Sequence, residues 1–520
     1  MPLAVQALLP FIALLGAAAI VRQRPRGKSN GWIAAGATAL AGVIALVELL
    51  RLSPGEHVDV PYLTTFPYAD LAIRLDGLSL AFATITLITA ALLMLARQRV
   101  RGDRRDPWAG WLLTSAATCA VILADNLLLV YIALQLLTLA WSGALDEAAP
   151  RRRGLRLVVQ VADIGLLLAA ASAIQSVGTS AFSGVPSDTF GLATFVLVLL
   201  PVVVRIGALT QSWGGPREAV VFEPGIAWLA PAGYLLLRLL ALMGGRLPDR
   251  PTAVALFAVG VIAALVFAGL ALVARAGPRL AGLLLAAQAG LAVALSTGDQ
   301  PLLTVASTWL WLNLVPLAGV ASVRSHDGST PEAFTLLGLA MVPGSLAFVG
   351  LWLGALALNA RGLLLAMIPV GLVVVLSMIA ALSHVIVRRP RRFDVATAWA
   401  GALALIAAFP IVATGTLVVP AAATVRLVPR GTVSVSPFGL ATGVGAWPAL
   451  AMSVVVGLVL GLAAWRLVGR LPLRSRATGG GRRLLSFKRA RLVKPSLPAW
   501  SHVVLWGAFV AVVGAVAIRP

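Results

Sequence analysis

The stretch "DNLLLVYIALQLLTLAWS" (125–142) decides how this chain is read. After Asp125 and Asn126 it is apolar for a full membrane crossing, apart from Gln135 near its middle. About 20 mostly apolar residues span a bilayer as a helix, and an amide buried at that depth is costly unless it finds a partner. The same pattern recurs along the 520 residues, of which 60% are hydrophobic and 12% charged. Such a composition excludes a soluble globular domain and predicts an all-α, polytopic membrane bundle.

Hydropathy predicts sixteen spans, at 3–21, 31–50, 75–96, 108–124, 126–145, 155–178, 190–210, 220–243, 253–274, 280–297, 301–323, 333–358, 362–387, 394–416, 444–467 and 500–518. The opening "MPLAVQALLPFIALLGAAAIV" has no basic leader segment or small-residue cleavage site, so it reads as the first span. Basic residues test the count. Of 41 Lys and Arg, 32 fall in alternate loops such as "RQRPRGK" (22–28), "RRRGLR" (151–156) and "RRPRR" (388–392). Eight fall in the other set of loops, and Arg238 lies within a span. Positive loops face the cytoplasm, so both termini are expected outside, in a bacterial inner membrane. The net charge of +22 is thereby a membrane-orientation signal, and no nucleic-acid partner is expected. The basic linker 468–499 is expected on anionic lipid or against a partner subunit. Four His and one Cys leave no disulfide framework or Cys/His metal cluster, and no cofactor or metal is expected.

Polar groups at membrane depth mark function. Asp76 opens the third span, Asp163 lies in the sixth, Arg205 near the cytoplasmic end of the seventh and His384 near that of the thirteenth. Gln135, Gln160, Gln288 and Asn313 are neutral. A proton path needs titratable groups within hydrogen-bond reach, and Gln135, Asp163, Arg205, Asn313 and His384 are its candidates. Each has a plainer reading. Arg205 and His384 snorkel to the cytoplasmic surface; Asp163, Gln135 and Asn313 pin neighbouring helices through hydrogen bonds. Pro201, Pro316 and Pro343 can break their helices.

Six segments carry a resemblance: "IRLDGLSLAF" (73–82), "NLLLVYIALQLLTLAWS" (126–142), "VADIGLLLA" (161–169), "PRLAGLLLAAQAG" (278–290), "LNLVPLAGVASV" (312–323) and "VPGSLAF" (342–348). In order and register they resemble the third, fifth, sixth, tenth, eleventh and twelfth helices of antiporter-like subunits. Such subunits belong to respiratory complex I (NADH:quinone oxidoreductase), membrane-bound hydrogenases and multi-subunit Na+/H+ antiporters. The resemblance implies a bundle of about 14–16 helices with two inverted five-helix repeats, at 108–243 and 253–387, each with one broken helix. Residues 1–107 would precede them and 394–520 follow.

The resemblance also implies proton transport along a central line of Glu, Lys and His. Here the fifth-helix Glu falls on Gln135, the eleventh-helix Lys on Asn313, and the His four residues before it on Trp309. The twelfth-helix Lys falls near Leu351, and the seventh-helix Lys on Val204 or Arg205. The eighth-helix His has no counterpart in "GIAWLAPAGY" (225–234). Gln keeps the shape of Glu without ionising, and Arg does not release its proton. The expected function is therefore a non-catalytic, antiporter-like subunit packed against other membrane subunits, its proton-carrying charges largely lost. The alternatives are a cation or proton translocator with a rewired path through Asp163, Arg205 and His384, a membrane partner of an inorganic-carbon uptake protein, and an unrelated carrier.

Overall fold

The computed structural model describes residues 3–23, 29–63, 71–99, 107–144, 150–187, 191–210, 222–274, 277–297, 299–322, 336, 338–341, 345–360, 362–388, 414–429, 432–436, 439–443 and 445–447. Helices α1 (Leu3–Gln23) and α2 (Asn30–Arg51) lead to a hairpin, β1 (His57–Leu63) and β2 (Leu71–Asp76). Five helices follow: α3 (Gly77–Arg99), α4 (Trp108–Leu123), α5 (Leu127–Ala144), α6 (Pro150–Val177) and α7 (Leu192–Ala208). A π-helical turn, Pro224–Leu229, runs into α8 (Ala230–Leu242). Then come α9 (Arg250–Leu272), α10 (Gly277–Leu295), α11 (Pro301–Ser322), α12 (Leu346–Ala360) and α13 (Leu364–Arg388). A second π turn, Thr414–Val418, opens the short α14 (Val419–Val425), and a small antiparallel sheet closes the described chain: β3 (Val433–Ser436), β4 (Gly439–Thr442) and β5 (Gly445–Trp447). Nine of the described helical segments are long and apolar enough to cross a membrane, and the protein is an integral membrane bundle.

Apolar patterning sorts the helices into layers. In the π turn with α8 (Pro224–Leu242), α10 and α11, 94%, 89% and 94% of the spanning residues are buried, so these largely apolar segments form the centre. Only 33% are buried in α9 and 28% in α13. On α13 the exposed Leu365, Ile368, Leu372, Val375 and Ile379 recur every three or four residues, a single stripe facing outward. In 108–243, α4 to α8 pack in succession and α8 returns to α4. In 253–387, α13 returns to α9.

The alternation of loops read from basic residues holds among the described residues. The hairpin, the α4–α5 turn and the loop after α6 are joined by the bridges Ile73–Ala124 and Asn126–Ala181. Gly244 approaches Ser187, and Gly245 packs on Arg426, so these expected outer loops share one face. At the opposite face the start of α2 meets the end of α3 and the start of α4, and Trp111 stacks on Phe222 at 4.6 Å.

Three expectations change. The loop before the third span is a β-hairpin, which satisfies its backbone groups pairwise. The span 333–358 is not one helix. It stops at Met341, whose φ of 58° is left-handed, and α12 starts at Leu346. The span 444–467 opens as a strand, because "GLATGVGAW" (439–447) folds back with Leu440 opposite Trp447. The expected helices 394–416 and 500–518 lie outside the described residues except for the end of the first, as does the linker 468–499.

Candidate functional site

Two clusters of buried charge flank a neutral centre. The first joins α6 to α7. Arg205 donates from Nη1 to Asp163 Oδ1 at 2.6 Å and from Nη2 to Oδ2 at 3.0 Å, with 1% and 0% of the side chains exposed. Nη1 also donates to Pro201 O at 3.2 Å. The local sequence explains this approach. Pro201 has no N–H and deprives Leu197 O of its helical donor. A Cβ on Gly165 would lie 2.5 Å from that same Leu197 oxygen. Glycine therefore lets α6 close onto α7 just where Asp163 must reach Arg205.

The second cluster lies at the face where the β1–β2 hairpin meets the α4–α5 turn. Asp76 caps α3, accepting from Ser79 N at 2.8 Å while Asp76 N donates to Ser79 Oγ at 3.0 Å. A Cβ at Gly77 would collide with Pro420 O of α14, so only glycine fits after this cap. Arg238 of α8 forks onto Asp76 at 2.7 and 3.0 Å. Its Nε donates to Tyr234 OH at 3.1 Å, and its guanidinium lies over Phe182 at 5.3 Å and Tyr234 at 5.2 Å. Arg74, two residues before Asp76 and so on the same strand face, donates from Nε to Asp76 Oδ2 at 3.1 Å. Its Nη1 reaches Asp59 Oδ2 and Asp125 Oδ1, each at 3.4 Å. Burial and the neighbouring Asp59 charge push the Asp125 carboxyl up to about 6, against the opposing pull of Arg74 and Arg238.

The centre holds neutral groups. Gln288 donates to Leu339 O at 2.6 Å, tying α10 to the chain before the break. Asn313 donates to Trp309 O at 2.8 Å, one turn back on its own helix. Ser296 and Ser307 share a 2.6 Å hydrogen bond, which Trp311 Nε1 joins at 3.4 Å. Trp309 is fully buried and Leu351 is 5% exposed.

Of the five candidates, only Asp163 and Arg205 come together. Arg205 does not snorkel, because a carboxylate one helix away offers both oxygens at its own depth. Gln135 is half-buried beside the exposed Ile132, Leu136 and Leu139; its buried amide nitrogen has no partner among the described residues. The interhelical bonds expected of Gln135 and Asn313 are not made there. His384 is half-buried near the end of α13. Sequence reasoning missed the roles of Arg74, Asp125 and Arg238. The signal was present: an Arg within a span requires an acid, and Asp76 opens a neighbouring span at the same face.

No family model matches the chain, and no curated protein matches it. Solved structures do. A chain of the Mrp complex from Dietzia sp. DQ12-45-1b superposes with a TM-score of 0.67 at 20% identity, covering 100% of this chain and 63% of that one. A chain of the archaeal membrane-bound sulfane sulfur reductase, a respiratory membrane complex, gives 0.73 at 16%, covering 98% and 94%. The chain has the antiporter-like subunit fold. A chain of respiratory complex I from Thermus thermophilus with bound NADH gives 0.65 at 18%, covering 81% of this chain and 100% of that one. The chain thus spans about two thirds of the Mrp chain's length and nearly all of the other two. All three belong to membrane complexes, and the antiporter-like fold agrees with the order of the six motifs.

Proposed function

We propose that the chain is an antiporter-like subunit of a larger ion-transport or redox-coupled membrane complex, and that it serves that complex structurally. Its partners are other membrane subunits, in a bacterial inner membrane, with the basic linker 468–499 on anionic lipid. The segments 108–243 and 253–387 are read as inverted repeats related by an axis in the membrane plane.

One observation carries this reading. The charges within the first repeat segment's sixth and seventh spans are spent on each other, in the two-pronged Asp163–Arg205 pair. A proton carrier must alternate between forms. Arg205 does not deprotonate, and its two terminal nitrogens occupy both Asp163 carboxylate oxygens. At the positions where the resemblance implies Glu, Lys and His, Gln135, Asn313, Trp309 and Leu351 offer nothing that ionises near neutral pH. A rewired path through Asp163, Arg205 and His384 would need the lock to open in each cycle.

Purification of the tagged chain from its native membrane in mild detergent tests the assignment. Stoichiometric co-purification with other polytopic subunits is expected. A solitary chain that transports protons or cations in liposomes would refute the reading.

A further inference from the structure

The outer cluster holds more acid than base. Among the described residues its ion pairs join three carboxylates, Asp59, Asp76 and Asp125, to two guanidiniums, Arg74 and Arg238. His57 Nε2 stands 3.9 Å from Asp59 Oδ2 at the exposed rim. Asp76 takes both terminal nitrogens of Arg238 and Nε of Arg74. The two outer acids are left with Arg74 Nη1, at 3.4 Å from each. Both contacts are long for charge-assisted bonds.

Neither outer acid is fully satisfied. Asp125 is 5% exposed, and only its Oδ1 accepts a hydrogen bond among the described residues. Asp59 Oδ1 is buried without a partner. Two ionised carboxylates on one guanidinium nitrogen form a like-charge pair that is relieved by binding a proton. A carboxylic acid removes the surplus charge and adds a donor where acceptors stand idle.

We infer that Asp125, beside the Asp59 carboxylate on the shared Arg74 Nη1, is a proton-binding site at this face, and that its occupancy sets how firmly the β1–β2 hairpin is held to the α4–α5 turn. The two carboxyls sit on the two pieces being joined. Asp125 N donates to Ala72 O at 3.2 Å, so the turn already forms part of the hairpin's edge. Loss of the proton sets two negative charges against each other across that seam. The site reaches solvent through Asp59 and His57, whose side chains are 24% and 49% exposed, so the proton need not enter the membrane. The inference does not depend on whether the neutral centre conducts.

Infrared pH-difference spectroscopy of the full chain in lipid nanodiscs separates carboxylic acid from carboxylate and tests this directly. The wild type should show a carboxyl titrating near 6. Asp125→Asn should abolish that band. Asp59→Asn should lower its midpoint, because the like-charged neighbour is gone. The proposal is overturned if no carboxyl titrates between roughly pH 5 and pH 7, if the band survives Asp125→Asn, or if the midpoint in Asp59→Asn stays or rises. Should Asp125→Asn fail to fold, the wild type and Asp59→Asn still decide.

Discussion

Arg205 holds Asp163 by both terminal nitrogens, at 2.6 and 3.0 Å, across the α6–α7 interface. Breaking a buried pair from one side leaves an uncompensated charge, a loss of about 3–5 kcal/mol, whereas replacing both partners with apolar groups is often neutral. Asp163→Leu and Arg205→Leu should each lower stability by about that amount. Asp163→Leu with Arg205→Met should recover most of it. Thermal unfolding in nanodiscs reads the cycle, and strictly additive losses would show that the pair is not coupled.

Arg238 poses the same problem with a stricter geometry. It forks onto Asp76 while its Nε reaches Tyr234 and its face lies over Phe182. Lysine keeps the charge but not the planar fork. Arg238→Lys should therefore loosen the hairpin nearly as much as Arg238→Leu, seen as faster proteolysis between β1 and β2. Wild-type resistance in Arg238→Lys would mean that charge alone suffices.

The Asp125 carboxyl gives a pH dependence with a definite sign. Its folded value of about 6 stands above the ordinary 3.8. In that interval the folded state binds more protons than the unfolded one, so the stabilisation is complete below about pH 4 and is lost as pH rises through about 6. The difference corresponds to on the order of 3 kcal/mol. The wild-type Tm should fall between roughly pH 4 and pH 6 relative to Asp125→Asn, and level off above that. Parallel curves would refute the assignment.

Gln135→Leu should be tolerated. The amide nitrogen is buried without a partner, and removing an unpaired polar group is neutral or stabilising. The Tm of Gln135→Leu should match or exceed that of the wild type; a loss above about 2 kcal/mol would reveal an important partner for Gln135.

Much of this fold was legible because the membrane makes apolar length and loop charge decisive. The spans through 301–323 match described helices to within a few residues, and the outer loops gather on one face as the basic residues required. Strand pairing was not legible. "HVDVPYL" (57–63) alternates polar and apolar only through Val60 before Pro61 interrupts it, and "GLATGVGAW" (439–447) does not alternate although its two halves pair with each other. Asp163 and Arg205 were both visible as costly residues. Their union was not, since it rests on Gly165 fitting against a carbonyl that Pro201 leaves without its helical donor.

The central claim is that the intramembrane charges lock helices and do not carry protons. Proton flux measured with a pH-sensitive dye in liposomes, with the partner subunits assembled, tests it most directly. The pairs to compare are the wild type, Gln135→Glu, and Asp163→Leu with Arg205→Met. Gln135→Glu should add no flux, and the paired variant should leave the flux of the assembled complex at the wild-type level. Abolished pumping in the paired variant, with assembly intact, would contradict the account and place the proton path through Asp163.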